Sequence, residues 1–208
     1  VTKDIAPSLL KIGMVTDGLW SDLNGDGKIE LVVCGEWMPV TVLGFSADKL
    51  VDVTSDFGLQ QTHGWWYSLA AGDFDGDGDI DLLGGNYGLN HRYKPRDGMP
   101  YELFAGDLDE NGSWDIVLAY HEGVQLFPVR ERLAFIDEFP WIQQQIPTFR
   151  QFARSTVGDI FSDQQISRSV HLTATVFASS IFINDGSGRM TIRSLPNEAQ
   201  RSAINGIV

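Results

Sequence analysis

Three nine-residue segments carry oxygen-bearing side chains at alternating positions. They read Asp22-Leu23-Asn24-Gly25-Asp26-Gly27-Lys28-Ile29-Glu30, Asp73-Phe74-Asp75-Gly76-Asp77-Gly78-Asp79-Ile80-Asp81 and Asp107-Leu108-Asp109-Glu110-Asn111-Gly112-Ser113-Trp114-Asp115. Positions 1, 3, 5 and 9 are Asp, Asn or Glu in each, and position 6 is always Gly. A hard cation such as Ca²⁺ takes six to eight oxygens at about 2.3–2.6 Å. A tightly curled loop can turn alternate side chains inward, and Gly at position 6 permits the curl. Position 7, here Lys28, Asp79 and Ser113, can add its backbone carbonyl. The expected metal ligands are therefore Asp22, Asn24, Asp26, Lys28 and Glu30, then Asp73, Asp75, Asp77, Asp79 and Asp81, then Asp107, Asp109, Asn111, Ser113 and Asp115. Position 12 holds Val33, Gly84 and Leu118 rather than a bidentate Glu, which excludes an EF-hand. Three copies sharing one Gly argue for calcium over metal-free polar turns. Mg²⁺ sheds its water too reluctantly for loops of this kind.

The charge balance agrees with this chemistry. Acidic residues outnumber basic ones 28 to 15, for a net charge of -13. Such a balance argues against a phosphate-backbone partner, which needs clustered Lys and Arg. Bunched carboxylates repel one another unless a cation lies among them. Cys34 is the only cysteine, so neither an internal disulfide nor a cysteine zinc cluster can form. No apolar run approaches the roughly 18 residues of a membrane span. The apolar content is ample for a packed core.

Each loop lies between β-rich runs. Met14 to Trp20 precede loop one and Leu31 to Cys34 follow it. Trp65 to Ala71 and Leu82-Leu83 flank loop two, and Tyr101 to Ala105 and Ile116 to Tyr120 flank loop three. Short β-rich runs around a Gly turn predict hairpins, and their recurrence predicts a repeat architecture. Val40 to Leu43 and Leu50 to Val53 are expected to complete a four-stranded first unit. Ser180 to Asn184 and Met190 to Arg193 are expected to be the outer hairpin of the third, leaving the middle unit abbreviated. Residues 130–170 break the β pattern. Phe149, Phe152, Ala153, Val157 and Ile160 fall on one helical face, and Ser162 has the form of an N-cap. The region is expected to be a helical insertion within the third unit.

Other residues suggest chemistry less specifically. Trp65 and Trp66 point to opposite faces of a strand, so one could stack on a sugar, although core packing explains both. His91, Arg92, Lys94 and Arg96 form a small basic patch that reads as a solvated loop. His121-Glu122 could be imagined as an acid–base pair, but adjacent strand residues diverge. The four His lack zinc spacing, and no nucleophile motif, P-loop or dinucleotide fingerprint is present.

On these residues the chain resembles the FG-GAP/VCBS-type repeat family, the integrin-α-like propellers. Phe57-Gly58 followed by Ala71-Gly72 and loop two is close to the family signature. Gly35-Glu36-Trp37-Met38-Pro39, Gly85-Asn86-Tyr87-Gly88-Leu89-Asn90 and Leu195-Pro196-Asn197-Glu198-Ala199-Gln200 are similar to large secreted or surface bacterial proteins often found with an ASPIC/UnbV-type region. Against the family pattern, Glu30 replaces Asp at position 9, and Glu110 and Asn111 replace Gly and Asp. Loop one is expected to be distorted by the longer Glu30 arm, and loop two to bind most tightly. The resemblance implies a mainly β fold: residues 1–208 as a fragment of one β-propeller, about three FG-GAP/VCBS-like blades with a helical insertion in the third. It implies a calcium-binding extracellular or outer-surface module that recognises a glycan or a surface protein. The alternative is part of a secreted polysaccharide-degrading enzyme built on a propeller. Ala203 to Val208 resemble the approach to a further loop, so the remaining blades are expected in a longer parent chain.

Overall fold

The computed structural model describes residues 2–93 and 99–208. In chain order the elements are α1 (Thr2–Ile5), β1 (Met14–Ser21), β2 (Glu30–Met38), β3 (Thr41–Ser46), β4 (Lys49–Asp52), β5 (Gly64–Trp65), β6 (Ser68–Gly72) and β7 (Asp81–Gly85). There follow β8 (Tyr101–Gly106), β9 (Asp115–Glu122), β10 (Gln125–Pro128), α2 (Arg132–Glu138), α3 (Ile142–Gln145), α4 (Phe149–Phe152), α5 (Val157–Ile160) and α6 (Asp163–Arg168). The last strands are β11 (Val170–Ala174), β12 (Ser180–Asn184) and β13 (Met190–Ser194). The chain is mainly β. It divides into two compact units, residues 1–94 with 176–208, and residues 95–175.

The first unit holds two antiparallel sheets. Sheet one has the order β1-β2-β3-β4, with β5 also paired to β2. Its outer hairpin turns at Ala47-Asp48, both in the left-handed region that a tight two-residue turn requires. Sheet two has the order β6-β7-β12-β13. The two sheets of this unit meet along a shared core that includes Val32, Val42, Trp66, Leu82 and Phe182. Two polar ties fasten their neighbouring strands. The Thr16 hydroxyl donates to the Trp66 carbonyl at 2.8 Å, and the Leu69 N–H donates to the Asp17 carboxylate at 2.8 Å. Trp66 is fully buried, with its indole N–H on the Thr62 carbonyl at 2.7 Å.

Sheet two corrects the expected assignment of the late hairpin. Residues 180–184 pair with β7 in the register Ser180↔Gly84, Ile181↔Leu83 and Phe182↔Leu82. The hairpin therefore completes the second sheet, which is a full four-stranded unit rather than an abbreviated one. The buried side of β12 satisfies its backbone partners on β7, and its strand sequence alone does not say which edge it joins.

The second unit holds the third sheet, ordered β10-β9-β8-β11. Helices α2 to α6 lie in sequence between β10 and β11. They pack Phe135, Phe139, Ile142, Phe152, Ile160 and Phe161 with the sheet residues Phe104 and Val117. The expected single helical face is not formed. Two four-residue helices replace it, and Phe149 is 61 % exposed. Each of the two starts with its own capping box, Thr148 with Gln151 and Thr156 with Asp159. Ser162 caps α6 with Gln165 as its spacing predicts.

Gly84 stands where an EF-hand loop would carry its bidentate Glu. A Cβ there would lie 2.8 Å from the Trp66 ring and 3.0 Å from the Phe182 ring. Replacing Gly84 by Val should cost about 1–3 kcal/mol by overpacking. The expected result is a lower urea midpoint together with a changed tryptophan emission. An unchanged midpoint would show that Trp66 does not need this flat strand surface.

Candidate functional site

The three acidic loops link β1 to β2, β6 to β7 and β8 to β9, each connecting two antiparallel neighbours. Each is curled by the same set of hydrogen bonds. The position-1 carboxylate accepts the position-6 N–H: Gly27 to Asp22 at 2.9 Å, Gly78 to Asp73 at 3.1 Å and Gly112 to Asp107 at 2.9 Å. The position-3 oxygen accepts the position-5 N–H: Asp26 to Asn24 at 3.0 Å, Asp77 to Asp75 at 3.3 Å and Asn111 to Asp109 at 3.2 Å. The position-5 oxygen accepts the position-7 N–H of Lys28, Asp79 or Ser113 at 2.7–2.9 Å.

Position 9 closes the loop from below. Glu30, Asp81 and Asp115 are all buried, and each accepts the position-2 N–H, from Leu23 at 3.0 Å, Phe74 at 3.0 Å and Leu108 at 2.9 Å. Glu30 thus reaches the same donor as Asp does in the other loops. Gly at position 6 has positive φ in all three, as the spacing requires. Position 4 has it too, at Gly25, Gly76 and Glu110, and Glu110 carries the strain of a non-Gly residue at φ 60°.

In loop two, oxygens of Asp73, Asp75 and Asp81 lie within 4.8 Å of one another, and in loop three those of Asp107, Asp109 and Asp115 do. Either triad could hold a metal ion. Loop one presents the Asn24 amide oxygen where the others present a third carboxylate, and its Lys28 ammonium lies 3.8 Å from Asp26. The donors are oxygens throughout, which fits a hard cation. Asp77, Asp79, Asn111 and Ser113 lie on the same curls, where their side-chain or backbone oxygens can complete a shell. Crowding shows in the acidities. Glu30 and Asp115 are raised above the usual carboxyl range, first by burial and then by neighbouring loop carboxylates. Asp75 is raised by lost hydration and by Asp77, Asp81 and Asp73.

Asn184, at the end of β12, was invisible as a site residue in the sequence. Its buried amide donates to the Leu23 carbonyl of loop one at 2.7 Å and to the Ile80 carbonyl of loop two at 3.0 Å. Its backbone N–H donates to Asp81 at 2.8 Å, and its side-chain oxygen accepts from Gly186 and Gly188. One side chain therefore fixes two acidic loops. Its turn contacts with Gly186 and Gly188 are local, but no local signal could reveal the tie to the two loops, because Leu23 and Ile80 lie more than 100 residues away in sequence.

The remaining candidates resolve differently. Trp65 is buried, edge-on to Trp37, Tyr87, Tyr93 and Phe177 at 5.1–5.4 Å, so neither Trp65 nor Trp66 offers a face to a sugar. His91 packs against Tyr87 and accepts the Tyr93 N–H, while Lys94 and Arg96 lie outside the described residues. His121 bonds Glu102 at 2.5 Å, and His171 bonds the other oxygen of the same carboxylate at 2.7 Å. These three residues come from adjacent strands, a pairing that neighbouring sequence positions could not show.

Residues 22–84, which span loops one and two, match the family model of the FG-GAP-like repeat. No curated protein matches the chain.

Replacing Asn184 by Ala should leave the Leu23 and Ile80 carbonyls buried and unpaired, at a cost of about 2–4 kcal/mol. Thermal melts of the chelated chain are expected to show the loss. A variant that melts like the parent would mean that the two loops hold their shape without it.

Proposed function

Taking an FG-GAP-type repeat over residues 22–84 as the premise, we propose that the chain is part of a calcium-dependent β-propeller module that binds or scaffolds at the cell surface or outside the cell. The observation that carries this reading is the hydrogen-bonded curl shared by the three loops, each closed over a buried position-9 carboxylate, with three Asp oxygens gathered within 4.8 Å in loops two and three. Calcium would be held by Asp22, Asn24, Asp26 and Glu30 with the Lys28 carbonyl. Asp73, Asp75, Asp77 and Asp81 with the Asp79 carbonyl would form the second site. Asp107, Asp109, Asn111 and Asp115 with the Ser113 carbonyl would form the third. Bound calcium supplies the charge that offsets carboxylate repulsion, so each loop stiffens and so do the two strands it joins.

The low-affinity end of protein calcium sites suits an extracellular medium. A site with a Kd of about 10⁻⁴ M gains roughly 1.4 kcal/mol at about 1 mM Ca²⁺ and almost nothing at sub-micromolar levels. That difference supports export. The described residues contain no helix long and apolar enough to cross a membrane. Sheet one leaves Met14, Val15, Trp20 and Phe45 about half exposed, with Trp20 stacked on Phe45 at 6.1 Å. The exposed, stacked Trp20 and Phe45 support cover by further blades of a longer chain. A cavity of about 350 Å³ beside loop one, lined in part by Asn24, Asp26, Glu30, Phe57 and Ser187, supports recognition of a glycan or a surface protein next to a metal-stiffened hairpin.

Titrating the chelated protein with millimolar Ca²⁺ should release or absorb heat and raise the melting temperature, with Mg²⁺ giving a much smaller shift. Silence in both measurements would remove calcium from the reading. Asp73→Ala should abolish the loop-two share of the shift.

The pH dependence follows from the raised carboxyls. In the metal-free chain Glu30, Asp75 and Asp115 hold protons to higher pH than in the unfolded chain. Their contribution to stability is therefore full below the unfolded pKa and lost as pH rises through the folded pKa. Calcium binds the ionised forms, so protons compete with it. The calcium-dependent increment in melting temperature should shrink between about pH 7 and about pH 4. An increment that stays constant over that span would mean that these carboxyls do not hold the ion.

A further inference from the structure

The second unit contains one buried cation that the acidic loops do not use. Arg132, the first residue of α2, is 7 % exposed, and it is the only buried Lys or Arg among the described residues. Its Nε donates to the Ile146 carbonyl at 2.9 Å, and its guanidinium lies 5.4 Å above the Phe149 ring. Among the described residues no carboxylate pairs with it. The neighbouring Arg130 is engaged by Glu138, and Glu131 is exposed. A buried guanidinium without a counter-ion is costly to keep desolvated.

Arg132 also lines a cavity of about 340 Å³, within the range of small-molecule sites. Tyr120 and Phe127 of the third sheet form one wall, Phe149, Phe152 and Ala153 around α4 form the other, and the exposed Arg130 and Glu131 lie at the lining beside Arg132. Phe149 belongs both to this wall and to the ring beneath the guanidinium, which places the charge at the cavity lining. The exposure of Phe149, unexplained by the helix packing, is accounted for if its ring serves as part of a binding wall.

We propose that this cavity binds a small organic carboxylate with an aromatic or aliphatic body, its charge paired with Arg132 and its body against Tyr120, Phe127 and Phe149. A guanidinium forks to both oxygens of a carboxylate, and the rings accept the apolar remainder. Polyanions are disfavoured, because the chain carries a net charge of -13, and of the two arginines at the cavity Arg130 is already engaged by Glu138. The site is independent of the acidic loops and of calcium.

The test uses the whole chain in calcium-containing buffer, with phenylacetate and octanoate as probes and phenylacetamide as the uncharged control. Ligand-observed NMR and calorimetry should show saturable binding of the carboxylates, with the amide about tenfold weaker or worse. Arg132→Gln should weaken carboxylate binding by at least about tenfold. Because that change also removes the Ile146 contact, Ala153→Trp serves as a second variant that fills the cavity and leaves the arginine in place. It should abolish binding with the melting temperature retained. Three results would each overturn the proposal: no saturable binding to the parent chain, equal binding of acid and amide, or binding that survives Ala153→Trp. Binding lost with Arg132→Gln but kept with Ala153→Trp would place the anion outside this cavity and also overturn it.

Discussion

The mutual repulsion of carboxylates held on one tight curl is the constraint on which the rest of the first unit depends. The fold answers it in part with its own backbone. In every loop the position-1 carboxylate accepts the Gly N–H at position 6, and the position-9 carboxylate accepts the N–H at position 2. Hydrogen bonds from backbone N–H groups favour the ionised form of a carboxylate. They do not cancel the loss of hydration and, behind it, the effect of neighbouring carboxylates, because Glu30, Asp75 and Asp115 remain harder to ionise than free carboxyls. The shape is thus built without the ion, and the charge is left for one to neutralise. That division explains why the same curl tolerates Asn24 in loop one and Asn111 in loop three: the hydrogen bonds need an oxygen at these positions, not a charge.

The curl also reaches the core. The position-9 residue is the first or nearly the first residue of β2, β7 or β9, so a displaced loop displaces a strand. Leu23 and Leu108, which donate their N–H groups to Glu30 and Asp115, bury their side chains in the two principal cores. Asn184 then joins loop one to loop two through Leu23, Ile80 and Asp81. A short polar turn in sequence is in this way part of the packing of two sheets. The segments Gly35 to Pro39, Gly85 to Asn90 and Leu195 to Gln200 are packing devices of the same kind. Trp37 takes a left-handed φ at a bulge in β2 and packs on Trp65, Asn86 ties to Val176, and buried Gln200 bonds both Ser179 and Leu195.

What was legible in the sequence was local. The loops, their glycines and the strand on either side of each could be read because alternation and turn chemistry act within about ten residues. The β3–β4 hairpin followed for the same reason. The late hairpin was misassigned because a strand such as Ser180 to Asn184 carries a pattern that fits any half-buried edge, and its true neighbour β7 lies far back in the chain. The helical face failed for a different reason. Apolar spacing from Phe149 to Ile160 suits one helix, yet Thr148 and Thr156 each begin a new one by capping. A Thr followed three residues later by Gln or Asp was the available signal, and it outweighs periodicity over so short a run. The Glu102 cluster and Arg132's cavity depend on strands and helices meeting, which spacing along the chain does not encode.

The topology raises the question of how a sheet survives interruption by a whole compact unit between two of its neighbouring strands. The cost of closing a loop grows only logarithmically, by about 0.6 kcal/mol for each doubling of its length. The length of the inserted stretch is therefore a minor term beside how firmly its two ends are held. The first unit holds the segments that flank it closely. Asn86 and Ser179, 93 residues apart, share a hydrogen bond of 3.0 Å, and the Asn86 amide reaches the Val176 carbonyl at 3.0 Å. The Val176 N–H in turn donates to the His63 carbonyl at 2.9 Å, and Gly64 forms a bridge to Val176. These bonds lie within the first unit, directly beyond the ladder that joins β7 to β12. They hold β7 and β12 in register at the end where the chain between them departs and returns. The second unit has a core of its own in Phe104, Val117, Phe135 and Phe161, and it draws no strand from the sheets it interrupts.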